Sequence, residues 1–357
     1  KVNFLLANNN YHKFIKQVNE HKPKYACLLN TDFNNKIKNK INKQTKIIYP
    51  DDIKNFLLDS RSDISILAIS GYSALNYLSP ILINTDILGL VNKESIVSAG
   101  HLFNKLLKKS KTTIFPLDSE HFSLLDLLNH NKIDKSKINK VYLTASGGPF
   151  LNFSLNDLKN VSFKQAVNHP KWKMGFKNSI DSATLANKCL ELIEAHYLFN
   201  IPFKSLKISI HPEALVHSII EYNNYTSKFN YFYHDMNIPI INLLNNKNKK
   251  IFYPKISKYK FDTNCNLNFF KPDMKKFPIL NIFDNMDKEN PENFIKFNCS
   301  NEFAVNLFKD GHIKFIDIHK IINWGLSLSL NSSINNIDNI IIYQNKFMKL
   351  LSDKYED

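Results

Sequence analysis

Two acidic side chains, Asp118 and Glu120, follow the apolar run TTIFPL at 112–117. A run of that kind reads as a strand, and the connection at its end can aim both carboxylates at one point. Hard divalent cations such as Mg²⁺ and Mn²⁺ take oxygen ligands, commonly a few carboxylates with substrate oxygens and water. Taken alone, D-x-E is weak evidence and reads more often as a solvated turn. A helix predicted over about 182–198 carries a second group. At about 3.6 residues per turn, Leu185, Cys189, Leu192, Ile193 and His196 share one face, the core face, and Asn187, Lys188 and Glu191 share the opposite one. There an amide, an ammonium and a carboxylate lie within one turn, beside a helix start that Asp181 or Ser182 can cap and whose free amides can bind an anion. An ordinary exposed face with a Lys188–Glu191 pair is the competing reading.

Three further segments offer ligand chemistry. In TASGGPF (144–150), Gly147 and Gly148 let the backbone approach a ligand and Ser146 offers a hydroxyl, or the segment is a plain turn ending at Pro149. HPKWKMGFK (169–177) sets Trp172 and Met174 among lysines near Gly175. Large apolar side chains in a polar loop suggest a lid that excludes water, against an aromatic that tucks into the core. His211, after the run KISI, reads as a buried imidazole or a site residue.

The elements that must position these residues alternate in type. VNFLLA (2–7), a helix over 11–21, KYACLL (24–29), a helix near 51–59, SILAIS (65–70), a helix from Tyr72, ILGLV (87–91), a helix from Ile96 and TTIFPL predict βαβ units and a parallel sheet. Ligands gather at the carboxyl ends of such strands, which points to Asn8–Asn10, Gly71, Asn92–Ser95 and Asp118–His121. Strands follow at KVYLT (140–144) and KISI (207–210). Residues 241–262 read as a linker, and 279–350 as helical, with Ile313–Ile318 and Ile321–Leu330 the plainest runs. The expected organisation is a sheet domain over 1–117, a catalytic domain over 118–240, the linker, and a helical domain over 263–357.

The chain has 357 residues, 43% hydrophobic and 12% aromatic, with a formal charge of +15. That is length for more than one core. The cations are nearly all lysine, Arg61 excepted, and are interleaved with asparagine along the whole chain. They therefore build no single basic stripe, and no nucleic-acid partner is expected. The four cysteines, Cys27, Cys189, Cys265 and Cys299, form no C-x-x-C pair, which excludes a zinc site and a disulfide framework as readings. No apolar run approaches the ~20 residues of a membrane span.

NKESIVSAG (92–100), FPLDSEH (115–121), TASGGPF, HPKWKMG, DSATLANKCLELIEAHYLF (181–199) and HPEALVHS (211–218) together resemble the 1-deoxy-D-xylulose 5-phosphate reductoisomerase family in order and spacing. YHDMNIPI (233–240) and FNCSNEFAV (297–305) are similar to its later landmarks. The resemblance implies an α/β fold: a Rossmann-like parallel-sheet domain, an α+β catalytic domain and a C-terminal helical domain. It implies metal ligation by Asp118, Glu120 and Glu191, and contacts of Lys93 and Ser119 with the substrate's hydroxylated chain. Ser146, Ser182, Asn187, Lys188 and His169 would bind the phosphate, Trp172 would cover the substrate, and His211 would also face it. Asn8, Asn9, Asn10, Gly71, Asn92, Glu94, Met174 and Gly175 would lie along NADPH, with Mg²⁺ or Mn²⁺ as the ion. The implied catalytic set is Lys93, Asp118, Glu120, His169 and Glu191. The implied reaction is the metal-assisted rearrangement and NADPH reduction of 1-deoxy-D-xylulose 5-phosphate to 2-C-methyl-D-erythritol 4-phosphate. A homodimer in a bacterial cytoplasm, or in a plastid-like organelle, is expected with it.

Members of the family begin with a strand and a glycine-rich loop, GSTGSIG, that is absent here, as in a truncated record. A degenerate homologue that binds a phosphorylated ligand without turnover is the alternative. Ala74 stands where a second glycine after Gly71 is usual. Cys189 replaces a glycine, Lys171 an asparagine, and Phe176 a basic residue.

Overall fold

The computed structural model describes residues 1–130, 134–172, 174–246, 253 and 261–356. The chain divides into two units: Lys1–Ser65 with Tyr77–Leu88 and Leu107–Thr113, and Ile66–Asn76 with Gly89–Leu106 and Ile114–Asp357.

The first unit opens with β1 (Phe4–Ala7), α1 (Tyr11–His21) and β2 (Tyr25–Leu28), as the alternation predicts, continues with α2 (Asn34–Lys38) and β3 (Lys46–Ile47), which it did not predict, and then reaches the expected α3 (Ile53–Asp59). β1, β2 and β3 form a parallel sheet in that order, with Phe4 opposite Tyr25 and Tyr25 opposite Lys46. Phe14 and Val18, four residues apart on one face of α1, bury against Ala26 and Leu28 of β2 and against Ile37 and Ile41. Asn10 fixes where α1 begins, its side chain accepting from Lys13 N at 3.0 Å.

Next come β4 (Ser62–Leu67), α4 (Leu75–Ile83), β5 (Thr85–Leu90), α5 (Lys93–Lys109) and β6 (Thr113–Pro116), the strands forming a sheet in the order β4-β5-β6. Two predicted boundaries move here, for one reason. The strand expected over 65–70 ends at Leu67, and the helix expected from Ile96 begins at Lys93. Asn92 causes both shifts. Its Nδ2 donates to the carbonyls of Ile69 and Gly71, taking them out of any ladder, and its Oδ1 caps α5 by accepting from Ser95 N at 2.8 Å.

The rest of the second unit holds α6 (Ser119–His130), β7 (Ile138–Ala145), α7 (Phe163–Ala166), α8 (Phe176–Thr184), α9 (Ala186–Phe199), β8 (Leu206–Ile210), β9 (Val216–Tyr222), β10 (Ser227–Tyr231) and α10 (Asn237–Asn245). Its helical end is α11 (Pro278–Asn285), α12 (Pro291–Lys309), α13 (Ile318–Ser327) and α14 (Ile337–Glu356). The third sheet is mixed, in the order β10-β9-β7-β8, with β7 parallel to β8 and antiparallel to β9. Val141 and Leu143 of β7, Leu190 and Ile193 of α9, and Phe294 and Phe297 of α12 share one core. The predicted linker over 241–262 is corrected at its start, because α10 continues through Asn245 and buries Leu243. Of the remainder, 247–252 and 254–260 lie outside the described residues.

The single helix expected over 182–198 is two helices. The chain breaks at Leu185, which adopts a left-handed φ of 63°, so Asp181 and Ser182 sit in the last turns of α8 and cap nothing. Thr184 serves the new helix start instead, its hydroxyl accepting from Ala186 N at 3.3 Å.

Candidate active site

The acid cluster is assembled by one helix start and one helix face. Asp118 follows β6 and caps α6: its Oδ1 accepts from the backbone N–H of Glu120 at 3.1 Å and of His121 at 3.2 Å. The D-x-E segment is therefore not a solvated turn. Capping fixes Asp118 and sets Glu120 in the first turn of α6, with Ser119 donating its hydroxyl to Glu120 Oε2.

From α9 comes Glu191. The face read as exposed is buried: Glu191 is 0% and Lys188 3% accessible. The apolar face of α9 lies in the core with Cys189, and the polar face meets the first turn of α6, so both sides are covered. Carboxylate oxygens of Asp118, Glu120 and Glu191 all lie within 4.8 Å of one another.

Three carboxylates that close repel unless countered, and two ammoniums counter them. Lys93, opening α5, lies 2.5 Å from Asp118 Oδ2 and 3.4 Å from Glu191 Oε1. Lys188 lies 2.7 Å from Glu120 Oε1 and 2.6 Å from Glu191 Oε2. Asn187 donates to Glu191 Oε1. Asn187 and Lys188, expected among the phosphate ligands, are thus brought to the acids. Burial opposes the charge of Asp118, yet Lys93, His121 and Lys188 hold its carboxyl well below the usual range. Glu191 goes the other way, pushed up to about 7 by burial and by the neighbouring Asp118 and Glu120.

The donor set suits a hard divalent cation, being three carboxylates with no sulfur or imidazole among them. Glu191 Oε2 adds a specific observation. Although 2.6 Å from Lys188, it is buried off any hydrogen-bond direction and lacks a hydrogen-bond partner among the described residues. A bound cation would satisfy that oxygen.

Behind the acids lie His121, which sequence reasoning pointed to only by its place after a strand, and Glu194, which it passed over. His121 Nδ1 is 3.1 Å from Asp118 Oδ1 and 3.5 Å from Glu194 Oε2, while Nε2 is 3.0 Å from the Glu191 carbonyl. Burial disfavours charge on both side chains. Against that, Glu194 and Asp118 push His121 up to about 9, while Glu194 itself is pushed up to about 8. The available signal was the spacing of Glu194, one helical turn after Glu191 on the same side of α9.

A second cluster is neutral. His169 Nδ1 accepts from Lys171 N at 3.2 Å and Trp172 N at 3.0 Å, which places the proton on Nε2. That N–H lies 3.1 Å from both Ser146 Oγ, at the end of β7, and Ser182 Oγ, on α8. Burial, with His234 and Lys188, pushes His169 down to about 4, so it stays neutral near pH 7. Two hydroxyls and one fixed imidazole N–H converging from three segments make a donor set for an oxyanion. Trp172 lies edge-on to His234 and His217, with ring centroids 5.8 and 6.5 Å away.

Gly148 holds the second cluster together. A Cβ there would lie 2.9 Å from both Ala183 Cα and Ser182 O, and φ is 67°. Gly148→Ala should therefore destabilise the fold by about 2–4 kcal/mol through left-handed strain and overpacking. It should also displace Ser182. Thermal unfolding, with the KM for a phosphorylated substrate, checks both; an unchanged melting temperature would contradict the packing argument.

The residues expected along a dinucleotide divide. Gly71, with φ of 78°, and Asn92 and Glu94 are brought together: Asn92 Nδ2 donates to Gly71 O at 3.0 Å and to Glu94 Oε2 at 2.7 Å. Both side chains are buried, so they brace these loops and are not free to reach a ligand, which corrects their expected direct contact. Gly175 starts α8 in open space and Met174 is half-buried. Asn8, Asn9 and Asn10 belong to the first unit at the end of β1, where Asn9 Oδ1 accepts from Asn30 Nδ2 at 3.1 Å.

His211 is corrected to the bland reading. Its Nε2 accepts from Leu215 N at 3.2 Å, its Nδ1 is 2.8 Å from the Asn268 carbonyl, and its ring stacks on Phe269. Both nitrogens hold loops together, leaving none for a substrate.

Comparison with known proteins agrees with this geometry. Residues 1–100 match a family profile described as 1-deoxy-D-xylulose 5-phosphate reductoisomerase, and residues 114–199 and 233–349 match two profiles for C-terminal domains of that enzyme. The 1-deoxy-D-xylulose 5-phosphate reductoisomerase of Pelagibacter ubique is 40% identical over 89% of this chain and 82% of its own length. The apicoplastic enzyme of Plasmodium falciparum is 34% identical over 93% of this chain and 71% of its own. A crystal structure of a reductoisomerase in complex with NADPH, fosmidomycin and magnesium superposes with a TM-score of 0.88 at 30% identity, covering 99% of this chain and 91% of that one. The Zymomonas mobilis enzyme in complex with NADPH gives 0.88 at 29% identity, covering 100% and 92%. With the acids, the donor trio and these matches in one frame, the chain belongs to the 1-deoxy-D-xylulose 5-phosphate reductoisomerase family.

Proposed function

We propose that this chain converts 1-deoxy-D-xylulose 5-phosphate to 2-C-methyl-D-erythritol 4-phosphate, using NADPH and Mg²⁺ or Mn²⁺. The observation that carries the reading is the pairing of two unlike clusters: three converging carboxylates with one orphaned oxygen, and a neutral trio of donors suited to a phosphate. The substrate has the same two ends, adjacent oxygens that chelate and a phosphate.

Asp118, Glu120 and Glu191 would hold the ion, with Ser119 beside them and Lys93 meeting the substrate's oxygens. When bound, the cation supplies Lewis-acid stabilisation of the oxygens that exchange alkoxide and carbonyl character during rearrangement. NADPH supplies the hydride. Lys93 and Lys188 keep the acid cluster close to charge balance, so that it stays ionised at low dielectric cost. His121, 3.1 Å from Asp118 Oδ1 and bonded to the Glu191 backbone carbonyl, would steady the two segments that carry these ligands.

Ser146, Ser182 and His169 would bind the phosphate without spending charge on it, leaving Lys188 to add the nearby cation. Remote phosphate binding then orients the reacting carbons. Trp172 would lie over the bound chain and exclude water from an aldehyde. The loops at Gly71, Asn92–Glu94, Met174 and Gly175 would lie along the dinucleotide.

We infer further that the chain works as a homodimer, in a bacterial cytoplasm or a plastid-like organelle. Of the functional divisions read from the sequence we keep the boundaries near 117 and 262, and move the one near 240 past the end of α10 at Asn245. Among the described residues no helix is long and apolar enough to cross a membrane.

The test is incubation with 1-deoxy-D-xylulose 5-phosphate, NADPH and Mn²⁺. One 2-C-methyl-D-erythritol 4-phosphate should form per NADPH oxidised. NADPH binding without oxidation would instead favour the degenerate homologue, a reading that the relatives named above do not support.

A further inference from the structure

The second unit buries another charged network, one that the chemistry above leaves unused. Lys177, in the first turn of α8, places its ammonium 2.6 Å from Asp181 Oδ2 and 3.6 Å from Glu94 Oε1. The three side chains are 11%, 1% and 7% exposed. Asp181 Oδ1 accepts from the fully buried Asn301 Nδ2 of α12 at 2.8 Å, and Glu94 Oε2 accepts from Asn92 Nδ2 at 2.7 Å. Lys177 thus ties three segments to one point: the start of α5, the helix α8, and α12.

A buried ion pair adds little net stability over a well-packed apolar replacement, because desolvation offsets the attraction. What it does impose is a distance. Here the distance runs between neighbours of site residues. Glu94 follows Lys93, whose ammonium is 2.5 Å from Asp118, and Asp181 precedes Ser182, whose hydroxyl is 3.1 Å from His169 Nε2. Any sliding or rotation of α8 against the start of α5 would stretch the Lys177 bridge and shift Ser182 relative to Lys93.

We propose that Lys177 is a positioning residue that, by bridging Glu94 and Asp181, sets the spacing between the Lys93 end and the Ser182 end of the site. It thereby selects the length of phosphorylated chain that the site accepts. The inference rests on the assignment of Lys93 and Ser182 as substrate contacts.

Steady-state NADPH oxidation by the full chain tests it, comparing the native protein with Lys177→Met, Lys177→Arg, Asp181→Asn and Asn301→Ala and recording each melting temperature. Lys177→Met should raise KM on the order of 10- to 100-fold, as misplaced supporting groups do, with a smaller fall in kcat. It should also narrow the preference for 1-deoxy-D-xylulose 5-phosphate over ketose phosphates one carbon shorter or longer. Lys177→Arg, which keeps the cation, should recover most of the KM. A purely structural role would lower the melting temperature while KM and chain-length preference stayed native, and that result overturns the proposal. Should Lys177→Met fail to fold, Asp181→Asn, which removes the charge that pairs with Lys177 and keeps the side-chain shape, must still raise KM, and a native KM there overturns the proposal too; Asn301→Ala, which leaves the ion pair, is the control and should keep KM near native. Absence of turnover in the native protein would count against the functional reading instead. The positioning claim would then be read from inorganic phosphate affinity, which Lys177→Met should weaken and which, if unchanged, refutes it.

Discussion

Glu191→Gln should lower kcat/KM by about 10³-fold, since one lost carboxylate ligand removes several kcal/mol of stabilisation from an ion acting as Lewis acid, at about 1.4 kcal/mol per tenfold. Glutamine keeps the shape and one oxygen, and Asn187 can still bond it, so the fold should survive. The effect is expected in kcat as well as in metal affinity, because the chelated oxygens change charge most in the transition state. Acidity gives an independent signature. Burial and its two acidic neighbours push Glu191 up to about 7, and only its ionised form ligates. Metal affinity should therefore weaken as pH falls through about 7, with proton release on binding above the level expected for exposed acids. In Glu191→Gln that pH dependence should vanish. Wild-type turnover in the variant would remove Glu191 from the metal site.

Lys188→Met is the second large effect, and it should appear in stability first. The ammonium, 4% exposed, sits 2.7 Å from Glu120 and 2.6 Å from Glu191. Methionine fills the space of the stem but leaves the buried Glu191 and the half-buried Glu120 with Lys93 as the remaining ammonium of the pair that countered the acids. Breaking a buried pair by removing one partner costs about 3–5 kcal/mol, although protonation of Glu191 relieves part of that. The melting temperature should drop markedly in chelator. Saturating Mn²⁺ should then restore more stability to the variant than to the native protein, since an ion at about 100 times its Kd contributes about 2.7 kcal/mol and replaces the missing positive charge. Calorimetry with and without Mn²⁺ checks this. Equal melting temperatures for variant and native protein without metal would show that Lys188 does not balance the acids.

What could be read from the sequence follows from which signals are local. The alternation of apolar runs with helical spacing located β1, β2, β5, β6 and the helices α1, α3, α4 and α5, because each signal is carried by consecutive residues; the short α2 and β3 carried too little pattern to be read. Asp118, Glu120 and Glu191 were likewise named from short segments, and the structure brings them within one ion's reach. The break at Leu185 was not legible. A non-glycine residue in the left-handed region has no sequence signature, and the break goes with the close approach of Gly148 to Ser182 and Ala183. The polar face of α9 was misjudged because periodicity equates polar with exposed, whereas α6 and Lys93 cover it. Asn92 shows the same limit at a smaller scale: an asparagine three residues before Ser95 signals a cap, yet its bonds to Ile69 and Gly71 link positions over twenty residues apart. Glu194 was missed, and His121 was singled out by position but given no role, because a side chain that steadies a ligand looks, in sequence, like any other buried polar group.

Titrating the metal-free chain with Mn²⁺, followed by the loss of the free ion's magnetic resonance signal, tests the acid cluster most directly. The native protein should bind one Mn²⁺ per chain, displaceable by Mg²⁺, and Glu191→Gln should bind far more weakly while remaining folded. Absence of saturable binding in the native protein, or an affinity that Glu191→Gln leaves unchanged, would contradict the assignment of Asp118, Glu120 and Glu191 as the metal site.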